Sequence, residues 1–284
     1  MRIVVHISDI HFGRVDYDTV KPLIRAVHEV EPDVVVVSGD LTQRARRSQF
    51  IEARDFLAQL PGPQVVVPGN HDVPFYNVLG RFLGPLQNYR RYISDDLEPF
   101  YVDDEIAILG INTARSLTFK NGRISGDQIG RIRQRLCAVD EQLIKILVTH
   151  HPLDLPRGFA EQEVVGRAGL AMESLASCGA DLLLAGHYHI SHTGDTTSRY
   201  PIAGYSALVV HAGTATSTRG RGELNAFNVI RIARPFVTID RLDWQLQAAV
   251  FQVFRQEQFE QTDNGWTVSD KTVLPPADHQ PVND

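Results

Sequence analysis

Five short runs of aliphatic and β-branched residues in this chain each stop at a knot of aspartate, asparagine or histidine. Residues 3–7 lead into Asp9-Ile10-His11, residues 34–37 into Gly39-Asp40, and residues 65–67 into Gly69-Asn70-His71-Asp72. Residues 143–148 lead into His150-His151-Pro152, and residues 182–184 into Gly186-His187-Tyr188-His189. Runs of this length and composition read as buried strands. In an α/β sheet ligands bind outside the carboxyl ends of the strands, so five separated knots can converge on one crevice.

The intervening segments fit that scheme. Val20, Leu23, Ile24, Val27 and Val30 recur at helical spacing over residues 19–30, before Glu31-Pro32-Asp33 breaks the pattern. Phe50, Ala53, Phe56, Leu57 and Leu60 repeat it over residues 50–60, and residues 126–136 read as a third helix. Alternating strand and helix patterns predict an α/β fold. Beyond Gly186 the chain turns to strand-like pieces at residues 205–211, 226–232 and 236–239, which predicts a second, more antiparallel sheet. One domain is expected over residues 1–254. Residues 74–98 are expected to form a small cap or lid, and the polar, proline-containing residues 255–284 a loosely held tail.

The chemistry of the knots is specific. Carboxylate, imidazole and amide oxygen suit manganese, iron or zinc better than a thiolate-seeking metal. If the knots are extended, residues i and i+2 point the same way, so Asp9 with His11, and His187 with His189, present paired side chains. The glycines before Asp40, Asn70 and His187 permit sharp turns. Only two cysteines occur, Cys137 and Cys178, outside any C-x-x-C spacing. They are expected to be buried and reduced, with neither a disulfide framework nor a thiolate zinc site.

These residues resemble the calcineurin-like metallophosphoesterase superfamily, whose pattern runs D-x-H, G-D, G-N-H-[DE], a histidine after a strand, then G-H-x-H. All five blocks stand here in order between Ile3 and His189. The phrases Ser8-Asp9-Ile10-His11-Phe12-Gly13, Ser38-Gly39-Asp40-Leu41-Thr42 and Pro68-Gly69-Asn70-His71-Asp72 look most like the branch of class III cyclic-nucleotide phosphodiesterases and glycerophosphodiesterases. Ala212-Gly213-Thr214-Ala215-Thr216-Ser217 points the same way.

The resemblance implies a four-layer αββα sandwich of two mixed sheets with flanking helices. It implies two divalent ions, one held by Asp9, His11 and His189, the other by Asn70, His150 and His187, with Asp40 bridging both. His151 is then a neighbour rather than a ligand. His71 would stabilise the developing charge or protonate the leaving alkoxide, and Asp72 would orient His71 or support it from behind. Two metals neutralise phosphate oxygens and generate a nucleophile at neutral pH, which a negatively charged diester requires.

Other readings are weaker. The formal net charge of −6 supplies no general basic field for nucleic acid, which disfavours a nuclease of the same superfamily. A non-catalytic scaffold would not need every one of these residues. A small-molecule phosphodiester is the expected partner, with a homo-oligomer left open. Arg44, Arg46 and Arg47 read either as contacts to an anionic substrate or, better, as a solvated helix start, and Arg219 and Arg221, between glycines, carry the same two readings. Tyr76, Phe82, Tyr89 and Tyr92 read equally as a stacking surface for a nucleobase or as a packed cap helix. No stretch approaches the roughly 20 apolar residues of a membrane span. The apolar run at residues 3–7 is too short for a signal peptide, so a cytoplasmic location is expected.

Overall fold

The computed structural model describes residues 1–273, apart from 76–77, 119, 157, 161–162, 220–221 and 264. Strand β1 (Arg2–Ile7) leads through α1 (Tyr17–Val30) to β2 (Val34–Val37), and α2 (Arg47–Leu57) leads on to β3 (Gln64–Val66). Asp16 caps α1, its side chain accepting the Asp18 N–H, while Leu23 and Val27 bury the helix's apolar face. Two short helices follow, α3 (Val78–Leu83) and α4 (Gln87–Tyr92). Then come β4 (Phe100–Val102), β5 (Ile106–Ile111), α5 (Gly126–Leu136), β6 (Ile144–Thr149), α6 (Ala168–Ser177) and β7 (Leu182–Ala185). The remainder is β8 (His192–Asp195), β9 (Leu208–His211), β10 (Ala226–Ala233), β11 (Phe236–Gln245), β12 (Val250–Thr262) and β13 (Gly265–Val273).

The strands form two mixed sheets, ordered β13-β12-β11-β10-β1-β2-β3 and β4-β5-β6-β7-β9-β8. Strands β1, β2 and β3 run parallel in the first sheet, as do β5, β6, β7 and β9 in the second. Three apolar layers hold this together. Val5, Ile7, Val35 and Val37 pack under Leu23, Val27, Phe50 and Phe56 of α1 and α2. Val4, Val34 and Val36 meet Ile106, Ile146, Val148 and Leu184 between the sheets. Leu109, Leu147 and Leu183 pack against Ile132, Leu136, Met172 and Leu175 of α5 and α6. Period-two strands with both faces buried therefore produce the αββα sandwich.

Three expectations change. The strands after Gly186 make no sheet of their own: β10, β11, β12 and β13 continue the sheet of β1, β2 and β3. Residues 255–273 are not a loose tail: β12 and β13 extend the first sheet, with Phe259 and Trp266 buried in the layer between the sheets. Two large side chains and a hydrogen-bonded ladder anchor a stretch that looks polar in one dimension. Cys137 and Cys178 are not reduced thiols but a disulfide, with Cα atoms 4.5 Å apart. They cap the C-terminal ends of α5 and α6, which pack side by side, and Cys137 is exposed rather than buried. Helix α6 itself carries a weak amphipathic pattern and had no counterpart in the sequence reading.

The segment expected as a cap contains α3 and α4. Tyr89 is fully buried, its hydroxyl donating to the Val66 carbonyl, whereas Phe82 is exposed. Arg81 staples α3 down by donating to the carbonyls of Pro74 and Ser116. Tyr76 and Arg221 lie outside the described residues. Among the described residues no helix is long and apolar enough to cross a membrane.

Candidate metal centre

The five knots lie past the carboxyl ends of β1, β2, β3, β6 and β7, three strands from one sheet and two from the other. Backbone hydrogen bonds tie them together: Asp9 N–H donates to the Gly39 carbonyl, His11 N–H to Asp40, and Gly186 N–H to His150. All seven residues expected as ligands come together here.

Their backbone is not extended. Asp9, His11, Asp40, His187 and His189 all take left-handed conformations, with φ between 52° and 77°. The D-x-H and H-x-H pairs converge through alternating left-handed residues rather than through the pleat of a strand. Five such residues with side chains are uncommon, and strain of this kind gathers at functional sites. Glycine matters here for proximity. A Cβ on Gly69 would sit 2.1 Å from Asp40 Oδ1, and one on Gly186 would sit 1.9 Å from Ser8 Oγ and 2.4 Å from Asp9 Oδ2.

Two sets of side-chain atoms result. In the first, His11 Nε2 and His189 Nε2 are 3.1 Å apart and lie 3.6 and 3.2 Å from Asp9 Oδ1. In the second, His150 Nε2 stands 3.1 Å from Asn70 Oδ1 and 3.3 Å from His187 Nδ1. Between them, Asp40 Oδ2 is 3.3 Å from His150 Nε2 and 3.7 Å from His11 Nε2.

The surroundings aim these atoms. His150 Nδ1 faces the Ser38 carbonyl at 2.8 Å and His189 Nδ1 faces the Arg219 carbonyl at 3.1 Å, so both rings turn Nε2 inward. Asp9 Oδ2 accepts from Ser8 Oγ at 2.7 Å and from the His187 N–H at 2.9 Å. Asp9 Oδ1 is buried without a hydrogen-bond donor. Thr214 Oγ1 donates to the Asp9 carbonyl and Thr216 Oγ1 to that of Ile10, which explains why the Ala212–Ser217 phrase accompanies the others.

Converging acceptors with buried carboxylates require positive charge at their centre. Burial opposes ionisation of Asp9 and Asp40, yet the neighbouring imidazoles outweigh it and hold both carboxyls below the usual range. Burial likewise disfavours a charged His150, but Asp40 pushes its pKa up to about 9. Nitrogen and oxygen donors in two groups, an unmatched carboxylate oxygen and a carboxylate lying between the groups fit a pair of divalent cations. His151 also lies close to His150 and His187, but its Nδ1 pairs with Thr113 Oγ1 at 2.8 Å. His150, not His151, reaches Asp40 and Asn70.

His71 stands beside the cage and is only half-buried. Its N–H donates to Asp40 Oδ1, its Nδ1 lies 3.0 Å from the Gln43 carbonyl, and its Nε2 faces Arg219 Nη1 at 3.0 Å. Asp72 does not orient it. The Asp72 carboxylate turns away and accepts from the N–H groups of Gly69, Leu41 and Thr42 and from Thr42 Oγ1, pinning the two loops together. Gln43 and Arg219 hold His71 instead. Sequence reasoning missed both, because only folding brings Arg219 next to a histidine 148 positions away.

A cavity of about 250 Å³ opens over the cage, walled by Asp40, Asn70, His71, His187 and His189 together with Val73, Phe75, Arg44, Lys120 and Arg219. A larger cavity of about 640 Å³ lies across the loop at residues 118–122 and includes none of the cage residues.

The family model for calcineurin-like phosphoesterases matches residues 2–191. The 3′,5′-cyclic adenosine monophosphate phosphodiesterase CpdA of Escherichia coli K12 is 26% identical over 68% of this chain and 67% of its own length. The glycerophosphodiester phosphodiesterase GpdQ of Enterobacter lignolyticus is 25% identical over 57% of this chain and 61% of its own. Across the curated relatives matched, the alignments span 43% to 71% of those proteins' lengths. The purple acid phosphatase PPD1 of yellow lupin, Lupinus luteus, superposes with a TM-score of 0.65 at 15% identity, covering 90% of this chain and 53% of that one. That likeness is one of fold.

Proposed function

The chain belongs to the calcineurin-like phosphoesterase family, and on that premise we propose that it is a dinuclear-metal-dependent phosphodiesterase. Its substrate is a small phosphodiester, either a cyclic nucleotide such as cyclic AMP or a glycerophosphodiester. The observation that carries this reading is the position of Asp40, whose Oδ2 faces His150 on one side and His11 on the other. A carboxylate so placed suits a bridge between two cations.

In this reading Asp9, His11 and His189 hold one ion, Asn70, His150 and His187 the other, and Asp40 both. When bound, such a pair neutralises phosphate oxygens and lowers the pKa of water, and manganese, iron and zinc all suit the donor set. The chain's own residues do the rest. Ser38 and the Arg219 carbonyl fix the rings of His150 and His189, so little reorganisation accompanies the reaction. Hydrolysis breaks one P–O ester bond, and the departing alkoxide needs a proton. His71 Nε2 lies beside the cavity and accepts from Arg219 Nη1; turned from that contact and protonated, it would deliver the proton and return to the neutral imidazole. Asp72 serves by keeping the loops of Asp40 and His71 in register. Val73 and Phe75, on the chain between the Asn70–Asp72 turn and α3, line the cavity wall, where they would meet whatever the phosphate carries.

The relatives named for cyclic AMP and glycerophosphodiester hydrolysis support the diester class and divide over the substrate within it. The test is a panel of cyclic AMP, a glycerophosphodiester and a monoester, run with manganese, iron and zinc alongside metal analysis of the purified protein. Metal-dependent turnover of a diester above the monoester is expected. A protein that binds metal yet hydrolyses no diester, or one that prefers the monoester, ends the proposal.

A further inference from the structure

Two neighbouring segments beside the cage hold apolar side chains out in solvent. On α3, Leu79, Phe82 and Leu83 stand at i, i+3 and i+4, so they share one face, and they are 73%, 53% and 84% exposed. Leu117, on the loop after β5, is 81% exposed. Arg81 joins the two segments by donating to the carbonyls of Pro74 and Ser116. Among the described residues the four most exposed large apolar side chains are Leu83, Leu117, Leu246 and Leu79, and three of the four stand here. Single exposed leucines are ordinary on a protein surface, whereas a gathered set marks a contact face.

The charge around this face selects its partner. Residues 74–94 hold Arg81, Arg90 and Arg91 and no acid, and residues 112–123 hold Arg115, Lys120 and Arg123 and no acid, in a chain whose net charge is −6; acids resume at Asp95. Arg81 and Arg115 turn inward to carbonyls and to Gln128, while Arg90, Arg91, Lys120 and Arg123 are exposed. Arg90 borders the same groove as Leu79 and Leu83. A two-fold contact between copies would set these arginines against their own counterparts, which like charge disfavours. An anionic bilayer meets both features, its head groups taking the cations and its acyl boundary the apolar tips. We propose that this face docks the chain on anionic lipid membranes, with Leu79, Phe82, Leu83 and Leu117 inserted among the head groups. Phe75 and Lys120, from the same two segments, line the cavity over the cage, so docking brings that cavity to the membrane plane. Docking needs no turnover and stands apart from the phosphodiesterase reading.

The test is sedimentation of the full chain with vesicles of phosphatidylcholine alone and of phosphatidylcholine mixed with phosphatidylglycerol. Partitioning onto the anionic vesicles should exceed that onto the neutral ones by about tenfold or more and weaken steeply as salt is raised. Leu83→Ser combined with Leu117→Ser should lower it about tenfold, and Arg90→Gln combined with Arg91→Gln about as much, with urea unfolding unchanged in both. Leu83→Trp keeps an apolar tip: its added fluorescence should shift to the blue on anionic vesicles and be quenched by brominated acyl chains, whereas the native Trp244 and Trp266 are buried. Equal partitioning onto both kinds of vesicle overturns the proposal, as does a serine variant that binds like the wild type. Self-association that grows with concentration and disappears in the serine variant, without vesicle binding, overturns it in favour of a second copy of the chain.

Discussion

Arg219 reaches His71: its Nη1 lies 3.0 Å from the imidazole Nε2, while its own backbone carbonyl faces Nδ1 of His189 at 3.1 Å. One loop residue therefore touches both the histidine placed for proton transfer and a histidine of the cage. The side chain and the backbone can be separated by mutation.

Arg219→Ala keeps the carbonyl and removes the guanidinium. Metal content should hold, while turnover of diesters with poor leaving groups falls about tenfold to a hundredfold, in the range of a lost charge-stabilising donor. Arg219→Lys should recover little, because the ammonium of a shorter, flexible chain does not hold the position from which the one nitrogen Nη1 reaches both His71 and Gln43. His71→Ala should behave alike, with good leaving groups spared. Equal losses for good and poor leaving groups would separate both residues from the proton-transfer step.

Asp40→Ala should cost metal as well as rate. It removes the carboxylate whose Oδ2 lies 3.3 Å from His150 Nε2 and 3.7 Å from His11 Nε2, so bound metal should drop from about two ions per chain to about one or fewer. Elemental analysis reads this directly. A variant that retains both ions would show that Asp40 is not a bridge.

Reduction of the Cys137–Cys178 disulfide should destabilise the fold. The bond joins residues 41 apart, and closing a loop of that size in the unfolded chain corresponds to about 2–4 kcal/mol. Cys137 is exposed, so dithiothreitol has access. Urea unfolding with and without reductant, with thiols counted under denaturing conditions, measures both. Two reactive thiols in protein never exposed to reductant would mean that the bond does not form.

Stability should depend on pH through Asp181, far from the cage. Burial is the main cause that pushes its carboxyl up to about 6, against the donors Lys145 N–H, Gln261 Nε2 and Trp266 Nε1. Its folded pKa exceeds the unfolded value near 3.9, so the folded state binds the extra proton between those pH values. Its contribution is then most favourable below about pH 4 and declines as pH rises through 6, by roughly 2–3 kcal/mol. The difference in unfolding free energy between wild type and Asp181→Asn, followed from pH 4 to 7, isolates the effect. A constant difference across that range would count against it.

The α/β alternation and the converging knots were legible in the sequence because each depends on local information, whereas the αββα layering was an expectation of the family resemblance. Buried strands read as aliphatic runs, and the ends of such strands are where side chains gather. Three helices were legible through the spacing of Leu23 and Val27, of Phe50 and Phe56, and of Ile132 and Leu136. Strands β12 and β13, the last two at one end of the first sheet, were hidden because one apolar residue in several suffices where the ladder supplies the hydrogen bonds.

By itself, then, the sequence determined which residue types stand after each strand, and with them the class of chemistry. The tertiary structure decided what depends on distance across the chain. It turned the Asp9, His11, His187 and His189 backbones left-handed, set Asp72 to pinning loops, brought Arg219 and Gln43 to His71, and joined Cys137 to Cys178. Contacts between residues far apart in sequence leave no periodic trace, because only the packing of two sheets and their helices makes them neighbours.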